Sequence, residues 1–326
     1  MGRQNRSVHV LYRKDFHVRK AAGDRMSSVA ILTDSNSGIS QEQAKKYGVY
    51  VLPMPFYIND KLYYEGITLS QDQFYDHLTG DSEIHTSMPV VGDVLDKWDA
   101  LLKEYDEVVY IPMSSGLSSS CQMAKTLAED YDGKVQVVDN HRISVTMMRS
   151  VLNAKGLADQ GWNAKDIREY LEKTGADSSI YILVPTLKYL KKGGRLTPAA
   201  ALLGSLLRIK PVLQIQGEKL DSYAKCRTLK GAKVAMLGAI ENDIQNRYKP
   251  EHGLDDLWID GAFSGRVSDM QEEVSDWVKD IHAQYPVGVC MQQLSLSISC
   301  HVGPDCLAVT CEKKLPEVPV HPVDAV

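Results

Sequence analysis

The segment Ile111-Pro112-Met113-Ser114-Ser115-Gly116-Leu117-Ser118-Ser119-Ser120 gathers five hydroxyls and one glycine without a single charge. It follows the apolar run Glu107-Val108-Val109-Tyr110. It precedes a helical pattern from Cys121 to Asp130, in which Ala124, Leu127 and Ala128 fall at helical spacing. A strand-to-helix turn at the carboxyl end of a strand is where an open α/β sheet binds ligands. The helix start leaves backbone N–H groups unpaired, which favours an anion. The chemistry suggested is capture of a carboxylate or phosphate by neutral donors. An enzyme reading uses the same residues: Ser114 or Ser115 as nucleophile, with His301 and Asp34, in a serine hydrolase acting on acyl esters. The Gly-x-Ser-x-Gly elbow of such enzymes is absent around these serines. Asp34 itself reads first as an Asx-turn residue. A small-ligand regulatory module is a third class, and no Gly-x4-Gly-Lys-Ser/Thr loop supports a nucleotide.

The elements that must position this turn alternate. Ser28 to Leu32 is a strand closed by the turn Thr33-Asp34-Ser35-Asn36-Ser37-Gly38, and a helix follows from about Ser40 to Tyr47. Val49 to Ile58 is a strand region made irregular by Pro53 and Pro55. Ser70 is a natural N-cap, and a helix after Thr86-Ser87-Met88-Pro89 carries Leu95, Trp98, Leu101, Leu102 and Tyr105 on one face. Val135 to Asp139 is another strand. The fold class expected is α/β: an N-terminal α/β domain over 28–175 with a mostly parallel sheet, then a C-terminal α+β domain over 176–314. In the second part, strands are expected at Ser179 to Val184, Lys210 to Ile215, Lys219 to Ala224, Leu257 to Ala262 and Cys306 to Cys311. Ala199 to Leu207 reads as a largely buried uncharged helix whose leucines Leu202, Leu203, Leu206 and Leu207 serve as core or lipid wall.

Composition bounds the function. The 326 residues are 44% hydrophobic and 24% charged, with a net charge of −5, which disfavours a nucleic-acid binder. No apolar run reaches transmembrane length. The six cysteines form no CxxC pair, and Cys300-His301 with Cys306 is too loose for a zinc site, so cytoplasmic thiols without metal are expected. Residues 1–27 carry seven Lys or Arg against two Asp. They read as a disordered basic arm, or as a start preceding the true one at Met26, and 315–326 as a loose tail.

The ordered set of turns resembles the DegV family. The stretches are Thr33-Asp34-Ser35-Asn36-Ser37, Thr86-Ser87-Met88-Pro89, Ser114-Ser115-Gly116-Leu117-Ser118, Val138-Asp139, Leu190-Lys191-Lys192-Gly193-Gly194-Arg195, Lys210-Pro211-Val212-Leu213, Cys226-Arg227-Thr228 and His301-Val302-Gly303-Pro304. The resemblance implies a two-domain carrier with one long-chain fatty acid held between the domains, no cofactor and no catalysis of its own. It implies a partner, the ATP-binding subunit of a bacterial fatty acid kinase, which makes acyl phosphate for phospholipid metabolism. Carried over, the carboxylate ligands are Thr86 or Ser87, Ser115 with the Gly116 backbone, and His301. Gly193, Gly194 and Arg195 border the ligand mouth, and Arg227 faces the partner. The chain departs from the family at Met88, Ser119, Asp305, Thr146 and Met148. Asp305 beside His301 is expected to raise its pKa, and Thr146 and Met148, in place of glycines, to narrow the acyl tunnel.

Overall fold

The computed structural model describes residues 27–202, 209–216, 219–316 and 318. The basic arm but for its last residue, Leu203, Leu206, Leu207 and most of the expected tail lie outside the described residues. Leu315, at the head of that tail, is buried, and Val318 packs beside it against the core.

Strand β1 (Val29–Asp34) is buried along its whole length, which is why it reads as a continuous apolar run. The turn Ser35–Ser37 leads to helix α1 (Gln41–Tyr47) and strand β2 (Tyr50–Leu52). Pro53 ends that strand, and the chain leaves for a second sheet: β3 (Pro55–Ile58), β4 (Lys61–Tyr64) and, after helix α2 (Gln71–Thr79), β5 (Ile84–Thr86). The single strand region expected over Val49 to Ile58 is therefore two strands in different sheets. Asn59 and Asp60, both at positive φ, close the β3–β4 hairpin, as its two-residue turn requires. Ser40 and Ser70 cap α1 and α2 in full capping boxes with Gln43 and Gln73. Helix α3 (Val91–Leu101) precedes β6 (Glu107–Ile111), and helix α4 (Ser120–Ala128) precedes β7 (Val135–Val137). Strands β2-β1-β6-β7 form a parallel sheet in that order. At its carboxyl edge, Thr33 Oγ1 donates to Ile111 O at 2.8 Å and Asp34 Oδ2 accepts Met113 N at 3.0 Å, tying two turns together.

Helix α5 (Ser144–Asp159) is buried over most of its length and joins this region to the separate C-terminal domain. Helix α6 (Ala164–Lys173) follows, then β8 (Ser178–Leu183), α7 (Lys188–Gly193), α8 (Pro198–Leu202), β9 (Lys210–Ile215) and β10 (Asp221–Cys226). Next come α9 (Leu229–Asp243), β11 (Leu257–Phe263), α10 (Val267–Gln284), β12 (Met291–Gln293), α11 (Leu296–Val302) and β13 (Leu307–Lys313). The order β10-β9-β8-β13-β11-β12 is antiparallel except for β11–β12. Its two faces separate by period two. Tyr181, Leu183, Val309, Cys311 and Ile259 share one core with α9 and with Trp277 and Ile281 of α10. Ile180, Ile182, Ile215, Ala308 and Ala262 turn the other way, into a core shared with α5.

Two buried ion pairs fasten the halves. Arg142 Nη1 donates to Glu312 Oε2 at 2.7 Å, and Arg149 grips Asp260 through Nε and Nη2 at 2.8 and 3.0 Å. The expected burial of the Ala199 helix is not found in its described part: Ala200 is buried, but Leu202 is 74% exposed. The five residues of its described part offer one inward position, taken by Ala200.

Candidate functional site

The face of the C-terminal sheet that carries Ile180, Ile182, Ile215 and Ala308 forms one wall of a cavity of about 320 Å³. Met54, Met113 and Leu117, from the loops at the carboxyl edge of the parallel sheet, form the opposite wall. This volume is at the small end of the range for ligand pockets. Thr86, Ser87, Ser118, Ser119, Arg195 and His301 supply polar groups to it.

His301 sits in the last turn of α11. That helix is docked at its start: Ser295 caps it, Glu65 Oε1 accepts Leu296 N at 2.6 Å, and Ser295 Oγ donates to Asn36 Oδ1 at 3.1 Å. Midway, Tyr75 Oη donates to Ser299 Oγ at 3.0 Å. The helix end therefore has little freedom, and His301 Nε2 lies 3.1 Å from Thr86 Oγ1 across the interface. Gly193 packs on the other side of the imidazole. A Cβ there would fall 2.3 Å from Nδ1, so only glycine lets the ring sit where it does. Gly194, at φ +68°, is the left-handed cap of α7. Arg195 donates from Nε to Leu117 O at 3.4 Å and from Nη1 to Gly193 O.

Burial pushes the His301 pKa down to about 4, with the Arg195 guanidinium adding to the shift. This corrects the expectation drawn from Asp305. That carboxyl acts on Tyr189 instead, and desolvation of the imidazole outweighs any anion nearby. At neutral pH the histidine is an uncharged donor or acceptor. Asp34 is buried, and burial raises its pKa to about 6 against the hydrogen bonds from Met113 and Asn36. Its Oδ1 accepts Asn36 N at 2.8 Å, the Asx geometry expected. Glu65 is pushed to about 7, chiefly by burial.

The structure thus brings together Thr86, Ser87, Arg195 and His301, but not all of the serine turn. Ser115 and Gly116 are not among the cavity-lining residues. Ser118 N returns to Ser114 O at 3.1 Å, and this tight winding turns Ser115 outward while presenting Ser118 and Ser119. Ser115 Oγ faces His141 Nδ1 at 3.4 Å, and Gly116 N is taken by Ser114 Oγ at 3.1 Å. His141 meets Asp139 through the same Nδ1, at 3.9 Å, so no relay through the ring exists. The hydrolase constellation is not assembled: Asp34 serves Met113 and Asn36, and His301 serves Thr86. Thr146 and Met148 do not line the cavity, whereas Ile143 and Ser144 from the same helix start do. Arg227 is exposed, between β10 and Thr228, the N-cap of α9, and is not among the cavity-lining residues. The sequence reading placed Ser118 and Ser119 in the hydroxyl turn without singling them out as ligands, and missed Ser144, Thr310 and the isoleucine wall. The period-two alternation of Ile180 and Ile182 was the available signal for that wall.

Among the described residues, no group of His, Cys, Asp or Glu side chains is arranged to hold a metal, and no helix is long and apolar enough to cross a membrane. All six cysteines are thiols.

Comparison with known proteins places these features in context. The family model described as uncharacterised protein, DegV family, matches residues 28–314. A DegV domain-containing protein of Clostridium acetobutylicum is 30% identical over 291 residues, covering 89% of this chain and all of that one. The structure of a DegV family protein from Thermus thermophilus, described for its fatty acid binding, superposes with a TM-score of 0.78 at 25% identity, covering 88% of this chain and 100% of that chain. DegV from Bacillus subtilis, described as a fatty acid binding protein, gives 0.75 at 26% identity, with the same coverage.

Proposed function

Because this chain belongs to the DegV family, we propose that it is a non-catalytic carrier of one long-chain fatty acid, held in the cavity between the C-terminal sheet and the loops at the carboxyl edge of the parallel sheet. The observation that carries this reading is the polarity of the cavity. Apolar side chains of both halves form its walls, and hydroxyls with an uncharged histidine gather where Thr86 meets His301. Each buried methylene contributes ~0.8 kcal/mol, so fourteen or so contribute roughly 11 kcal/mol before the cost of ordering. Thr86, Ser87, Ser118 or Ser119 and His301 would satisfy the carboxylate through neutral hydrogen bonds, with Arg195 at the mouth. A carboxylate held in this way keeps a nucleophilic oxygen, which suits a group awaiting phosphorylation.

The carrier would present that carboxylate to the ATP-binding subunit of a fatty acid kinase, giving acyl phosphate. Arg227 is exposed beside Lys230, which fits a role in meeting an acidic partner surface or the transferred phosphate. The reading places the protein in the cytoplasm, where thiols stay reduced. Mass spectrometry of an organic extract of the purified protein tests the first part: about one equivalent of a long-chain fatty acid is expected. An empty extract with no uptake of added palmitate or oleate refutes it. Arg227→Ala tests the second part. It should keep fatty-acid affinity and lose acyl-phosphate formation with the kinase, and unchanged turnover would return Arg227 to the solvated surface.

A further inference from the structure

Resting on the fatty-acid reading, we infer that the cavity prefers acyl chains bearing a hydroxyl along their length, through a second polar locus made by Ser144 and Thr310. The head-group residues account for the polar end near α11. They do not account for these two hydroxyls on the cavity wall.

Ser144, the first residue of α5, is 6% exposed and lines the cavity. Its hydroxyl makes no hydrogen bond to any described residue. Its backbone is at φ +55°, a left-handed conformation that glycine adopts freely and serine does not. Residues held under such strain cluster at ligand clamps. Thr310 is buried and lines the same cavity, among Ile180, Ile182 and Ala308. A purely aliphatic tail has no use for its hydroxyl.

The two positions belong to one end of the cavity. His301 lies on α11, just before β13 begins, whereas Thr310 is the fourth residue of β13, about 10 Å along the strand from its first residue, Leu307. Helix α5 packs on this strand. Next on the same face comes Glu312, paired with Arg142, whose Nη1 also reaches Thr146 O in the first turn of α5. That bridge holds Ser144 toward the Thr310 end. An unmodified acyl chain leaves the Ser144 hydroxyl unsatisfied, while a chain hydroxyl both donates and accepts and so meets it beside Thr310.

The test compares matched acids on the purified full-length protein by displacement of a fluorescent fatty acid. The pairs are stearate against a mid-chain hydroxystearate, and palmitate against ω-hydroxypalmitate. In one pair the hydroxy acid should bind about five- to tenfold more tightly, the size of one net buried hydrogen bond. Thr310→Val and Ser144→Gly, the latter relieving the backbone strain, should each bring that ratio close to one, with thermal unfolding confirming that both fold. Plain acids binding as tightly as the hydroxy acids overturn the inference, as when these hydroxyls only hold a water. A ratio untouched by both variants does the same. A protein that takes up neither class overturns this inference and the fatty-acid reading together.

Discussion

Replacing Gly193 by alanine separates two opposed effects whose sizes the structure sets. Gly193 ends α7 with an ordinary helical backbone, and on backbone grounds alone alanine should stabilise the protein by ~0.5–1 kcal/mol. The added Cβ, however, would stand 2.3 Å from His301 Nδ1, 3.1 Å from Cε1 and 3.2 Å from Cγ. No Cβ approaches a ring nitrogen that closely, so the imidazole must retreat by about an ångström. Its 3.1 Å contact with Thr86 Oγ1 then passes out of hydrogen-bond range. Overpacking of a buried ring costs ~1–3 kcal/mol and the lost hydrogen bond ~1 kcal/mol, so the contact outweighs the backbone gain. Gly193→Ala is expected to lose ~1–3 kcal/mol of stability in urea and to weaken palmitate binding about fivefold or more. Gly194 supplies the comparison. It is at φ +68°, and a Cβ added there would meet nothing within 4 Å, so Gly194→Ala should cost stability through strain alone and perturb binding less. A Gly193→Ala protein more stable than the parent, with unchanged lipid affinity, would refute the placement of His301 against this glycine.

The depressed pKa of His301 predicts a pH effect. An unfolded imidazole takes up its proton near 6.5 and the folded one near 4, so its contribution to stability is complete above about pH 6.5 and falls away as pH drops toward 4. Asp34 and Glu65, raised to about 6 and 7, work in the opposite direction, gaining stability as they protonate. His301→Gln should therefore narrow its stability gap to the parent, or exceed it, at about pH 4.5 relative to about pH 7.5, by roughly 2–3 kcal/mol; a pH-independent difference contradicts the shift. Arg149→Met leaves Asp260 buried without its partner and should cost ~3–5 kcal/mol in chemical denaturation, with Asp260→Asn in the same chain recovering part of it; a loss below ~1 kcal/mol would show the pair to be solvated. Thr86→Val should weaken fatty-acid binding about five- to tenfold, whereas Ser115→Ala, on the His141 side of its turn, should change it little; the reverse order would put the carboxylate at Ser115.

The sequence by itself determined the local pieces of this protein. The apolar run of β1, the capping serines Ser40 and Ser70, the hydroxyl-rich turn before α4 and the glycines at the end of α7 are short-range features. Their residue types limit the backbone nearby whatever lies around them. The order of the turns was enough to reveal the family. Tertiary structure decided what those pieces face. Ser118 and Ser119 rather than Ser115 reach the cavity, because the winding of the turn is settled by bonds such as that from Ser114 N to Arg142 O. His301 is uncharged because residues from distant parts of the chain bury it, and Asp305, near in sequence, loses to that desolvation. The apolar cavity wall lies on one face of the C-terminal sheet because α9 and α10 claim the other. Nothing near Arg142 or Arg149 in the sequence points to their partners, Glu312 and Asp260, which lie more than a hundred residues away. Propensity and periodicity are local, whereas burial and its electrostatic consequences depend on which surfaces meet.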